Sequence, residues 1–374
     1  MKDKLTTIAF HTHNRALLLK SQLEANGIDC FLSGVNLIQP NIAGGVRLKV
    51  RNSEVEKALR IIEDLKVVSG TKKEKMLSRL QSVRRILVPV DFSEYSLNTC
   101  YYAIELAAKF KAEVKLFHAS FKPTMEVPPT YEGAHFYQLN YNKYFDEIDI
   151  KARHQLTDMR NELKAYVNKH GLSGIKLSFG ILHGFAGDAI EEMCLKYRPG
   201  IVVIGTHGLG QTTEGPFGSV ANRLIERLTV PILAIPTSAK YKGLGKTNAL
   251  LYATDFDETD IGALHKLISL VSPFEIKIHC VHISIGRKKP WDQVKMDSLS
   301  ASLRDDYPAQ DIKCSLMVSD DILNGLETYM RNNGIGLVAF NTHKRSLFTE
   351  LFTPSITKKA LSRLNRPVFI FRTS

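Results

Sequence analysis

The sequence is short of several things, and each shortage narrows the reading. It has five cysteines in 374 residues. Cys30, Cys100, Cys194, Cys280 and Cys314 are scattered and form no Cys-x-x-Cys pair. A disulfide scaffold and a zinc ribbon are therefore excluded, and reduced, buried thiols are expected. No apolar run approaches the roughly 18–20 residues that a membrane-spanning helix needs. No apolar segment of secretory type follows Met1, so residence in the cytoplasm is the expectation. The lysine-bearing loop Gly-x4-Gly-Lys-Ser/Thr of motor-type nucleotide hydrolases is missing. So are zinc-finger spacings and basic clusters interleaved with aromatics. The formal net charge of +12 thus points to an anionic partner of some kind, with nucleic acid disfavoured. Lys72, Lys73, Lys75, Arg84 and Arg85 are the densest basic cluster.

What is present is a duplicated α/β pattern. Hydrophobic residues make up 44% and charged residues 24%, ordinary values for folded domains. The run Ile86-Leu-Val-Pro-Val-Asp91 matches Leu250-Leu-Tyr-Ala-Thr-Asp255. Each is followed by a helical stripe: Leu97, Cys100, Tyr101, Ile104 and Ala108 in the first copy, Ile261, Leu264, Leu267, Ile268 and Val271 in the second. Strands at 114–118 and 276–282 come next. This part aligns at an offset of 164 residues, the difference between Asp91 and Asp255. Further on, Gly200-Ile-Val-Val-Ile-Gly-Thr-His207 matches Gly336-Leu-Val-Ala-Phe-Asn-Thr-His343, and Pro231–Ile235 matches Pro367–Phe371, at an offset of 136. The difference, 164 − 136 = 28 residues, is an insertion in the first copy, expected within 121–154 and rich in proline and aromatics. Each copy reads β-α-β-α-β-α-β-α-β. Strands that are nearly continuous apolar runs belong to parallel sheets covered on both faces, so two doubly wound sheets are predicted.

The most specific signal lies between two of these elements. Ile201–Ile204 reads as a strand, 220–228 as a helix, and the loop between them carries Gly205, Gly208, Gly218 and Ser219. A glycine loop feeding a helix N-terminus lets backbone N–H groups approach an anion. The spacing Gly-x2-Gly-x9-Gly-Ser resembles the ATP-binding signature of the universal stress protein family. The resemblance covers residues 84–237 and 247–374 and implies two such domains of the adenine nucleotide alpha hydrolase-like fold. It implies ATP or a related adenine nucleotide as ligand, with magnesium. It places Pro89, Val90 and Asp91 at the adenine and ribose end and Ala119 against the base. Gly205, His207, Gly208, Gly218, Ser219 and Val220 go to the phosphates. It further implies a stress-response sensor or regulator with signal-transducing character rather than an enzyme, because no catalytic set stands out and Ser219 has no general-base partner. A slow ATPase and a pure protein-interaction module are the alternatives.

The second copy keeps Asp255 and Ser355 but has Asn341, Lys344 and Pro354 where the first has its three glycines. One nucleotide per chain is therefore expected, in the first copy. A remodelled anion site using Lys344 and Lys358 is the alternative. Each copy ends in an apolar strand, 232–235 and 368–371. Exposed apolar edges need cover, and universal stress proteins pair through that strand, so an intramolecular pseudo-dimer is expected. A homo-oligomer and an unidentified protein partner stay open.

Residues 1–66 lie outside the repeat. The order βαββα, with strands at 6–10, 28–32 and 46–50, suggests a small ferredoxin-like α+β domain. The segments Gly27–Leu32 and Ala43–Val50 resemble a bacterial signal-transducing domain. Gly27 reads as a helix stop and Ser53 as a helix cap. His11 and His13 share a strand face, but surface histidines are favoured over a metal site. Residues 67–83 read as a linker, with Met76, Leu77 and Leu80 able to form one amphipathic turn.

Overall fold

A computed structural model describes residues 5–11, 19–20, 23–24, 27–33, 46–55, 57–58, 83–122, 134–208, 217–237, 243–256, 258–288, 290–342 and 366–372. The chain forms two compact units that divide between Arg79 and Leu80.

In the first unit, β1 (Leu5–His11), β2 (Cys30–Ser33) and β3 (Val46–Arg51) make an antiparallel sheet in the order β1-β3-β2. Leu19, Leu23, Ile28, Cys30, Leu48, Val50 and Ala58 form its core. Gly27 ends a helical turn with φ +76°. Its N–H donates to Glu24 O at 3.0 Å and that of Ile28 to Leu23 O at 3.0 Å, the paired bonds of a Schellman stop. Ser53 lies inside the 3-10 turn Asn52–Glu54, whose N-cap residue is Arg51. His13 and most of the linker lie outside the described residues.

The second unit is built on one sheet of ten strands. Its strands are β4 (Arg85–Pro89), β5 (Glu113–Ser120), β6 (Lys176–His183), β7 (Ile201–Gly205), β8 (Ile232–Ile235), β9 (Ala249–Ala253), β10 (Lys277–Ile285), β11 (Ile312–Ser319), β12 (Leu337–Asn341) and β13 (Val368–Phe371). The order is β11-β10-β9-β12-β13-β8-β7-β4-β5-β6. Read outward from the centre, both halves run fifth strand, fourth, first, second, third. Pairing is parallel within each half and antiparallel only at the junction, where Phe369 faces Leu233 in the ladder between β13 and β8.

Among the described residues the helices are α1 (Glu94–Phe110), α2 (Ala134–Lys169), α3 (Ala186–Tyr197), α4 (Ser219–Arg227), α5 (Glu258–Val271), α6 (Pro290–Asp306) and α7 (Ile322–Asn332). Alternate strand residues feed opposite layers. Ile86 and Val88 join the core that includes residues of α1, α2, α5 and α6, whereas Leu87 joins the one with α3, α4 and α7. This explains why Ile86, Leu87, Val88, Ile201, Val202 and Val203 can all be apolar: both faces are covered, and each is 0% exposed.

The insertion falls between β5 and β6, mostly as helix. α2 has 36 residues where α6 has 17. Asp149 of α2 accepts from Ser120 Oγ at 3.1 Å and lies 3.2 Å from His183 Nε2. Ser120 and His183 end β5 and β6, so this part of the insertion is tied to the carboxyl edge of the sheet. Pro123, Pro128, Pro129 and Tyr131 lie outside the described residues.

Candidate functional site

The site is built where strand order reverses, between β4 and β7, the place at which open α/β sheets leave a crevice beyond their carboxyl ends. After β4 the chain continues beside β5, with Val90 N donating to Phe117 O at 2.8 Å. Phe92 then adopts a left-handed conformation, φ 65°, and its ring lies 4.4 Å from that of His118. His118 Nδ1 is 2.9 Å from Val90 O. A carbonyl only accepts, so Nδ1 carries the proton. Ser93 caps α1. Asp91 supports the same cap: its Oδ1 accepts from Ser93 N at 3.1 Å, Ser93 Oγ at 2.6 Å and Ser96 Oγ at 2.6 Å.

The glycine loop leaves β7 at Gly205. Thr206 N donates to Ile235 O at 2.9 Å, and Thr206 O accepts from Gly218 N at 2.7 Å. These bonds staple the two ends of the loop together and deliver the chain into α4. Gly218 is the N-cap residue of that helix. The N–H groups of Ser219 and Val220, in its first turn, have no acceptor within the helix. The partial positive charge of the helix end adds to them. Arg223, one turn on, pairs with Asp188 and Glu191 of α3, with Nε 2.9 Å from Glu191 Oε1, and so fixes α4 against α3.

Pro89, Val90, Asp91, Ala119, Gly205, His207, Gly208, Gly218, Ser219 and Val220, the ten residues singled out from the sequence, line one cavity of about 290 Å3. Three local details add to this picture. First, none of the three loop glycines has a positive φ. At Gly208 the constraint is close approach instead: a Cβ there would overlap Asp91 Oδ2, and the carboxylate would have to shift. Second, the Gly218 N–H is spent on Thr206 O and is no donor to a ligand. Third, Ala119 does not follow its strand but sits inside β5, opposite Leu182 of β6. Sequence reasoning missed Ser96, His118, Ala186, Ile190, Ile204 and Thr206 as lining residues. Ala186 and Ile190 are four apart on α3, a spacing legible only once the face of that helix is known.

The corresponding region of the second half is packed differently. Phe256 repeats the left-handed turn at φ 63°, with its ring 4.4 Å from His282. His282 Nδ1 is 2.8 Å from Thr254 O. Around this shared frame the lining residues are larger. Ile283 stands at the register of Ala119, Ile322 at that of Ala186, and Phe340 at that of Ile204; their exposures are 3%, 9% and 0%. Asp260 replaces Ser96 and accepts from Tyr252 Oη at 3.3 Å, Thr254 Oγ1 at 2.9 Å and Asp255 N at 2.9 Å. Burial, and then the neighbouring Asp255, push its carboxyl well above the usual range. Asn341 is fully buried at the end of β12. Lys344, Pro354, Ser355 and Lys358 lie outside the described residues.

Residues 82–236 match the model of the universal stress protein family. They form a universal stress protein domain. Over 158 residues the chain is 27% identical to Universal stress protein MJ0531 of Methanocaldococcus jannaschii, a match spanning 42% of this chain and 84% of that one. A universal stress protein from Archaeoglobus fulgidus is similar in fold, with a TM-score of 0.55 and 16% identity, over 78% of this chain and 99% of that one. That likeness in fold extends beyond the 155 residues from 82 to 236. The cavity described above lies wholly within the universal stress protein domain. Among the described residues no helix is long and apolar enough to cross a membrane, and no group of three metal-ligating side chains occurs.

Proposed function

We propose that the universal stress protein domain binds one adenine nucleotide, ATP or a relative, in the cavity between β4 and β7. The observation that carries this reading is the convergence of all ten sequence-predicted residues on that cavity, with the N-terminus of α4 opening onto it. Phosphates would be held by the N–H groups of Ser219 and Val220 and the Ser219 hydroxyl, and the Gly208 backbone would come close to them. Pro89, Val90, His118 and Ala119 would face the base and ribose. A magnesium ion would be carried by the phosphates and water, because Asp91 is the one acidic side chain in the lining among the described residues and its Oδ1 already accepts three hydrogen bonds.

Binding rather than turnover is the reading. The Asp91 Oδ1 and His118 Nδ1 atoms described above are committed to the turn after β4, which argues against either as a general base. The biological role proposed is a sensor or regulator in which nucleotide occupancy reports cellular state. In the same reading residues 247–374 are a second domain of the tandem kind, with a closed site. It pairs with the first as an intramolecular pseudo-dimer through β8 and β13. Duplication in one chain holds such partners at high effective concentration.

The test is direct. Purified protein is denatured and the released small molecules are identified by mass spectrometry, and stripped protein is titrated with ATP, ADP and AMP by calorimetry. One adenine nucleotide per chain is expected. Two equivalent sites, or no binding of any of the three, would overturn the reading.

A further inference from the structure

Cys280 and Cys314 are directly opposite each other in the parallel ladder between β10 and β11. Opposed residues of adjacent strands point to the same face, with Cα atoms roughly 4.8 Å apart. This lies inside the range of about 4.4–6.8 Å that a disulfide requires. The two thiols lie within hydrogen-bonding reach of each other. The two cysteines differ in access. Cys280 is fully buried, whereas Cys314 is half-buried on β11, the outermost strand at its end of the sheet. The hydroxyl of Ser300 and the guanidinium of Arg304 stand near the Cys314 sulfur; both residues belong to α6. The same register in the first half holds Leu116 opposite Phe179, so packing alone does not call for two sulfurs there.

We propose that Cys280 and Cys314 are a peroxide-responsive dithiol that closes to a disulfide stitching the edge strand β11 to β10. The environment divides the roles. Hydrogen bonding with Cys280 lowers the pKa of Cys314 below the ordinary thiol value, with Ser300 and Arg304 adding to it against the opposing effect of burial. Cys280 is held well above that value. Cys314 is thus the attacking thiolate and Cys280 the resolving thiol. In the first step the Cys314 sulfur bonds to one oxygen of hydrogen peroxide and the O–O bond breaks. Hydroxide leaves and takes up a proton as water, and Cys314 becomes a sulfenic acid. In the second step the Cys280 sulfur bonds to the Cys314 sulfur and displaces hydroxide, which leaves as water with the Cys280 proton. Two thiols give up two electrons and two protons, and one peroxide becomes two waters. Cys194, pushed up to about 12 by burial, serves as the internal control.

The full chain is treated with hydrogen peroxide, alkylated, digested and mapped by mass spectrometry. A linked Cys280–Cys314 peptide, two hydrogen masses lighter and reopened by dithiothreitol, is expected. Before oxidation, iodoacetamide at neutral pH should modify Cys314 at least about tenfold faster than Cys194, and Arg304→Gln should narrow that ratio by about threefold. Cys280→Ser should stop the reaction at a Cys314 sulfenic acid trapped by dimedone. If that variant does not fold, the wild-type peptide map decides. Equal alkylation rates, or peroxide products confined to sulfinic and sulfonic acids with no linked peptide, would overturn the proposal.

Discussion

The two halves of the ten-stranded sheet share strand order, the left-handed phenylalanine after the first strand, and a histidine that bonds back to the turn. They differ in what fills the space beyond the strands. In the first half Ala119, Ala186 and Ile204 leave a cavity. In the second half Ile283, Ile322 and Phe340 stand at those registers, and a buried carboxyl, Asp260, sits where the first half has Ser96. A frame held by backbone pairing thus accepts side chains of different volume at the same registers. The difference has a physical logic: the second half still covers an apolar strand edge of the first, whether or not its own crevice stays open.

The harshest test of that comparison breaks the seam. Phe369 is 0% exposed and faces Leu233 across the junction. Phe369→Asp buries an unpaired charge and should cost about 4 kcal/mol or more. Hydrogen exchange should then show lost protection in β4 and β7 as well as in β12. Unchanged exchange in β4 and β7 would show that the halves stand independently.

A second test moves the walls. Carrying Ile283 and Phe340 back to their first-half registers, as Ala119→Ile with Ile204→Phe, should fill the cavity. Nucleotide affinity is expected to fall about a hundredfold or more by calorimetry. Stability should change by about 1–3 kcal/mol, the usual cost of overpacking. Retained affinity would mean that the cavity is not the binding site.

Proline substitutions at neighbouring positions sharpen the role of the loop. Ser219 is the first residue of α4, where proline fits, and Gly218 before it is extended, as a residue preceding proline must be. Ser219→Pro removes one N–H and the hydroxyl from the proposed phosphate site. Affinity should fall about tenfold to a hundredfold, since hydrogen bonds to charged groups are worth about 1.5–3 kcal/mol, with little change in melting temperature. Gly218→Pro instead removes the bond to Thr206 O and should lower the melting temperature too. Equal thermal effects from both variants would contradict the distinction.

The smallest effect concerns pH. The Asp260 carboxyl is raised in the folded state, so it favours folding most fully below the ordinary carboxylate range near 4. That contribution is lost as pH rises through the folded value. Asp260→Ser, which installs the residue found at position 96, should remove a loss of stability on the order of 1 kcal/mol between mildly acidic and neutral pH, measured by urea unfolding. An unaltered pH profile would show that Asp260 is not the titrating group.

Much of this molecule could be read from the chain because its signals are local. Ile86–Val88 and Ile201–Val203 announce buried parallel strands by being apolar without alternation. Gly27 announces a helix stop that its φ and two hydrogen bonds match. The glycine loop marked its own cavity. What escaped reading depends on partners distant in sequence. Nothing near Gly218 says that its N–H is taken by Thr206, twelve positions away. The insertion, with its prolines and aromatics, gave no sign that it would lengthen one helix to 36 residues. Asp260 looks like an ordinary first-turn acid until Tyr252 and Thr254 close over it.

By itself, then, the sequence determined the alternation of strands and helices, the duplication and the residues that gather at the crevice, because periodicity and spacing act over a few residues. Tertiary structure alone decided how each crevice is lined, which loop donors remain for a ligand, and that Cys280 meets Cys314. Those outcomes turn on side-chain volume and hydrogen-bond satisfaction between segments that become neighbours only when the sheet is assembled.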